Sequence, residues 1–259
     1  MEVTELEISS RRSRFADFLE LTKPRITLLV LVTTLVGFYM ASTESMRVLV
    51  LIQAIIGTGF VAAGASALNQ YVERDLDARM MRTKSRPLPD GRVLPAEALW
   101  FAAAISVIGI LSLGFFLNPL TGVLGAATLA AYILVYTPLK TRTTLCTVVG
   151  AIPGAMPPLI GWAAARGELN ATALALFAIM FLWQMPHFFA IAWIFTEDYA
   201  RGGFVMHGNG TSTGRQIIAY CCALIPVSLL PTLFGATGWT YLAGAIFLGF
   251  TYQIGRAHV

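Results

Sequence analysis

Asn69, Glu73, Asp75 and Asp77 fall within nine residues at the end of an otherwise apolar segment. If that segment continues as a helix past Leu68, then Asn69, Glu73 and Asp77 stand at i, i+4 and i+8 and share one face, while Asp75 points elsewhere. An amide and two carboxylates along one stripe offer hard oxygen donors. They suit Mg²⁺, which takes one or two carboxylates and leaves its other positions to water and phosphate oxygens. Arg82, Lys84 and Arg86 follow at once and would complement the same anion from the other side. Charge so dense beside a membrane segment points to function.

A second polar cluster, Glu197, Asp198 and Arg201, closes a later apolar run. Two acidic helix ends on one side of a folded-back bundle are what a diphosphate with bridging Mg²⁺ needs. Asp198 is expected to join Asn69, Glu73 and Asp77 in holding the metal, whereas Glu197 reads as a solvated loop charge. His187 sits deeper, among Trp183, Phe188, Phe189 and Trp193. An ionisable side chain inside a membrane is a functional candidate, and with its aromatics His187 could flank a planar ligand or contact a haem; packing is the alternative. Tyr136 and Lys140, at i and i+4 around Thr137-Pro138, could reach a phosphate, although Lys140 also suits a membrane-surface anchor.

The elements that position these groups must cross a lipid bilayer. The 259 residues are 56% hydrophobic and 12% charged, with mean hydropathy +0.70, which excludes a soluble globular class. Apolar runs at about 26–42, 48–68, 96–117, 120–136, 145–165, 171–195, 216–236 and 239–252 make eight candidate spans. At roughly 20 residues per crossing they use up most of the chain. A single transmembrane domain over 1–259 follows.

Counted loop by loop, fifteen of the eighteen basic residues fall on one side, with only Arg47 and Arg166 opposite and Arg256 returning to the first side. This split places the N-terminus and the charged loops in the cytoplasm. The acidic Glu2, Glu5 and Glu7 argue against an organellar transit peptide, so a bacterial plasma membrane is expected. Cys146, Cys221 and Cys222 lack metal or disulfide spacing. No Gly-rich nucleotide loop, nucleophile elbow or repeat appears, and no nucleic-acid partner is expected.

Thr22-Lys23-Pro24 reads as a cap opening the first span. Pro87, Pro89 and Asp90-Gly91 break the chain into a long turned loop, the kind that serves as a functional lid. The fifth span holds Gly150, Pro153, Gly154, Pro157, Pro158 and Gly161, more breakers than an uninterrupted helix accommodates comfortably. A broken helix beside a cavity and close packing through small residues both fit it.

Taken in order, these motifs resemble the UbiA superfamily of intramembrane prenyltransferases, and within it the protohaem IX farnesyltransferase (haem O synthase) family. Most of the superfamily has Asn-x-x-x-Asp-x-x-x-Asp at the first motif, whereas this chain, like that family, has the middle glutamate in Asn69, Glu73 and Asp77. RTKSRPLPDG (82–91), YTPLK (136–140) and WQMPHFFAIAW (183–193) are also similar to the family. The resemblance implies an all-α, nine-helix bundle of which this chain shows eight spans. It also implies transfer of the farnesyl group of farnesyl diphosphate to a vinyl group of haem B. Asn69, Glu73, Asp77 and Asp198 would hold Mg²⁺ on the diphosphate; Arg82, Lys84, Arg86, Tyr136 and Lys140 would bind that diphosphate; His187 and Trp183 would contact the haem. Haem-oxidase assembly proteins are candidate partners.

Two departures stand out. Phe204-Val205-Met206-His207-Gly208-Asn209-Gly210 replaces the family's proline-bearing turn after Gly203. The end also differs: the family is expected to run through a further helix, and the final residues IGRAHV (254–259) read as a translated sequencing adapter. The expectation is a C-terminally truncated chain whose last six residues are not native. Two competing functions remain. A prenyltransferase acting on an aromatic acceptor such as 4-hydroxybenzoate is disfavoured by the middle glutamate and the His187 segment. A transporter would place its polar residues near the midplane rather than at helix ends.

Overall fold

The computed structural model describes residues 13–42, 45–206 and 210–247, and every regular element among them is helical. Helix α1 (Arg14–Leu21) is capped by Ser13, whose hydroxyl accepts from the Ala16 N–H. The chain turns at Lys23, which adopts the left-handed conformation with φ +48°. Pro24, with no N–H to satisfy, then opens α2 (Pro24–Ala41). Next come α3 (Val48–Asp77), a turned loop over 78–94, α4 (Pro95–Phe116) and α5 (Pro119–Ala130). A π-helical segment (Ala131–Tyr136) joins α5 to the single turn α6 (Thr137–Leu139). Helices α7 (Cys146–Arg166), α8 (Ala171–Ile194), α9 (Thr196–Arg201) and α10 (Thr211–Leu233) follow.

Seven membrane spans, close to the eight expected, lie among the described residues. The eighth expected span is described as helix only over 239–247, and the suspected non-native residues 254–259 lie outside the described residues. The fourth span is longer than the sequence indicated, running from Pro119 to Leu139 through the π segment.

Of the two readings of the fifth span, the structure has the close packing: α7 continues as one helix through Pro153, Pro157 and Pro158. A Cβ added to Gly161 would lie 2.0 Å from the Thr34 carbonyl oxygen, and one added to Gly37 would lie 2.1 Å from that of Pro158. Helices α2 and α7 therefore meet backbone to backbone, the contact that small residues permit in membranes. This packing makes α7 the most enclosed span, with about two-thirds of it buried. Trp162, Ile160 and Leu159 on it pack with Val61 of α3 and Leu113 of α4 in the main apolar core.

Candidate active site

Helix α3 has 30 residues, about 45 Å at 1.5 Å per residue, against a hydrocarbon core of about 30 Å. Roughly its last third must rise past the hydrocarbon, and that third carries Asn69, Glu73 and Asp77. All three are buried. Asp75 is 78% exposed beside Arg74, so the helical stripe separates it from the others.

Each of the three meets a cation from a different element. Lys140, just after α6, donates from Nζ to Glu73 Oε1 at 2.6 Å. Arg86, on the 78–94 loop, donates from Nη1 to Asp77 Oδ2 at 2.6 Å. Lys23, at the α1–α2 corner, reaches Asn69 Oδ1 at 3.5 Å. The strained backbone at Lys23 belongs to a class that costs on the order of 1–3 kcal/mol and gathers at functional sites. Burial, then repulsion from Arg86 and Lys140, pushes the Lys23 ammonium down to about 7 against the pull of Glu73 and Asp77. Lys140 is also penalised by burial, yet the Glu73 carboxylate raises it above the ordinary lysine value. Three basic groups thus face two carboxylates in a buried cluster, and an incoming anion would favour the charged form of Lys23.

The π-helical segment matters here, as such segments often do at functional sites. It precedes Thr137, which accepts from Asn69 Nδ2 at 3.3 Å, and its last residue, Tyr136, lies under the Lys140 ammonium at 4.5 Å. Gly150 on α7 makes room for the Tyr136 ring, since a Cβ there would come within 2.5 Å of it. Phe204 lies 5.7 Å from the same ammonium, and the Val205 N–H bonds the Lys140 carbonyl. The segment that departs from the family's turn therefore packs on the site, although residues 207–209 lie outside the described residues.

Asp198 is engaged differently from the sequence expectation. Its two carboxylate oxygens accept from the backbone N–H groups of Met81 at 2.7 Å and Arg82 at 3.2 Å. Among the described residues no group of three or more His, Cys, Asp or Glu gathers as a metal site. Asp198 thus fastens the basic loop to α9. Arg82 leans on the Phe195 and Tyr199 rings at 5.4 and 5.9 Å, Lys84 is exposed on the same loop, and Glu197 is 90% exposed.

Residues 30–258 match the UbiA prenyltransferase family. The chain belongs to that family. A relative from Solibacter usitatus, named protoheme IX farnesyltransferase, is 49% identical over 246 residues, covering 90% of this chain and 84% of its own. One from Myxococcus xanthus with the same name is 43% identical, covering 92% and 81%. A solved UbiA homolog from Archaeoglobus fulgidus bound to GPP and Mg²⁺ shares the fold, with TM-score 0.74 and 16% identity over 92% of this chain and 86% of that one. This UbiA-family chain is a multi-pass membrane prenyltransferase.

The donor set of this UbiA-family chain suits Mg²⁺ by its chemistry. Asp77 Oδ1 is buried without a hydrogen-bond partner among the described residues. It shares the stripe with Glu73 and with Asn69 Oδ1, so the stripe offers hard oxygens of which one has nothing to bind. With a diphosphate supplying further oxygens, Asn69, Glu73 and Asp77 suffice for such an ion.

Trp183 and His187 stack on α8 with ring centroids 6.0 Å apart and planes 18° apart. Both are exposed on the face opposite buried Met185, Phe189 and Ala192.

Four contributors escaped the sequence reading. Lys23 looked like a helix cap. Thr137 stood only as a residue between Tyr136 and Lys140. Gln70, one residue from Asn69, donates to the Leu21 carbonyl at 2.8 Å and locks α1 onto α3. Arg92 binds Asp17, Glu20 and Asp90 together with the Ser85 carbonyl, tying the loop to α1. The lone basic residue of the LTKPR stretch that meets the polar stripe, Lys23, was the one signal available; pairings as distant as Arg92–Asp17 leave none.

Proposed function

We propose that this chain transfers the farnesyl group of farnesyl diphosphate to a vinyl group of protohaem IX, yielding haem O and diphosphate. The observation that carries the reading is the set of basic groups, Lys23, Arg86 and Lys140, around the buried Asn69, Glu73 and Asp77 stripe at the end of an apolar bundle. That end suits a diphosphate, and the spans beside it suit an isoprenoid chain. The acceptor follows from the names that the curated relatives carry.

Asn69, Glu73 and Asp77 would hold Mg²⁺, which when bound neutralises the diphosphate and improves it as a leaving group. Arg86, Lys140 and Lys23 complement the same anion, and Arg82 and Lys84 extend the cationic field along the loop. The allylic C–O bond breaks with its electron pair passing to the diphosphate. The vinyl π electrons then form the new C–C bond, and water captures the resulting cation and releases a proton. The preorganised cations stabilise charge as it develops on the departing oxygen, and the burial that raises their influence also limits water. Tyr136, under Lys140, supplies an electron-rich wall beside the diphosphate. His187 and Trp183 would orient the haem. Asp198 sets the loop that carries Arg82 to Arg86, a role we place ahead of direct metal binding.

The reading of 1–259 as one transmembrane prenyltransferase domain, set in a bacterial inner membrane with a cytoplasmic N-terminus and charged end, is supported by the one-sided basic residues and by the bacterial relatives. The test is the haem content of cells lacking their own haem O synthase that express this chain or Glu73→Gln. Haem O with the parent and none with an equally expressed variant is expected. No haem O from the parent, with another prenylated acceptor accumulating, would refute the haem assignment.

A further inference from the structure

We infer that Thr137 is a positioning residue that fixes which atom of the Asn69 amide faces the metal-binding stripe. The inference rests on the reading of Asn69, Glu73 and Asp77 as metal ligands. Thr137 is buried and follows the π-helical segment directly. The π turn lets its backbone N–H reach back to the Tyr132 carbonyl, and its hydroxyl donates to that same oxygen at 2.8 Å. Both donors of Thr137 are therefore committed to one acceptor, which also pins the side-chain rotamer.

A carbonyl can only accept, and a hydroxyl has one proton. Toward Asn69, 3.3 Å away, Thr137 Oγ1 consequently offers only lone pairs, and the amide must present its NH₂ group. On the other side stands Lys23 Nζ, 3.5 Å from Asn69 Oδ1, which as an ammonium can only donate. The two neighbours impose the same orientation from opposite sides. A flipped amide would set NH₂ against an ammonium and one acceptor against another. Oδ1, the amide atom able to ligate a cation, is thereby turned toward Lys23 and Nδ2 toward Thr137. The freedom of an asparagine, whose two ends are nearly equal in size and opposite in function, is removed before any ion arrives.

The test uses the purified full chain in detergent, inorganic pyrophosphate, and Mn²⁺ as the probe, with free Mn²⁺ read by electron paramagnetic resonance. Thr137→Val keeps the shape and removes the lone pairs; it should weaken Mn²⁺ binding by roughly 10- to 100-fold, as loss of an outer-shell partner does. Thr137→Ser should bind like the parent. In an Asn69→Asp background the two ligand oxygens are equivalent and there is nothing to orient, so Thr137→Val should not weaken Mn²⁺ binding. Equal weakening in both backgrounds, failure to fold in both, or parent-like binding by Thr137→Val would each overturn the inference. Absence of Mn²⁺ binding by the parent is a different result: it would overturn the metal reading itself and the inference with it.

Discussion

The Lys140 ammonium and the Glu73 carboxylate lie 2.6 Å apart with little solvent access to either. They come from segments 67 residues apart in sequence. Removing one member of such a pair strands the other, at a cost of roughly 3–5 kcal/mol, whereas removing both is far milder. Lys140→Met should therefore lower the unfolding temperature in detergent, and the double change with Glu73→Gln should recover most of that loss. Turnover should stay abolished in both. A double variant that regains haem O synthesis would show the pair to be structural.

Arg92 gathers Asp17 and Glu20 of α1 with Asp90 of the loop. Because the same loop carries Arg86, loosening this clasp should disturb anion binding before chemistry. Arg92→Gln is expected to raise KM for farnesyl diphosphate about 3- to 10-fold, the worth of one or two charge-assisted hydrogen bonds, with kcat changed less. Proteolysis within 78–94 should accelerate in parallel. An unchanged KM with a reduced kcat would contradict the clasp.

Asp198 separates two roles by their response to metal. It accepts from the Met81 and Arg82 N–H groups with both oxygens, so an asparagine in its place would set an amide NH₂ against a backbone donor. Asp198→Asn should cost about tenfold in kcat/KM, or roughly 1.4 kcal/mol, and raised Mg²⁺ should not restore it. Rescue by Mg²⁺ would return Asp198 to the ligand set.

The Trp183–His187 shelf should affect one substrate and not the other. His187→Ala is expected to raise KM for haem while KM for farnesyl diphosphate holds. His187→Phe keeps a ring and distinguishes stacking, which it would preserve, from iron ligation, which it would lose. The Soret band of bound haem reports the difference.

Much of this site could be read in the sequence because its first motif is local. A helix places residues four apart on one face regardless of its surroundings, so Asn69, Glu73 and Asp77 declared their common direction. Hydropathy delineated the spans for the same reason. What stayed hidden depends on distant partners. Lys23 acquires its role from a left-handed corner that delivers its ammonium to α3, and Asp198 spends both oxygens on backbone donors more than 100 residues away. The prolines of α7 left two readings open because their local penalty is visible in sequence, while the close contact with α2 that offsets it appears only in three dimensions.

The length of α3 has a further result. In the proposed reaction, a helix that outruns the hydrocarbon would hold the breaking bond at the boundary of two phases. Diphosphate would depart into water and the farnesylated macrocycle remain in lipid, so the two products would part company at once and the reverse encounter become rare. Directionality is in this sense written into the number of turns of a single helix.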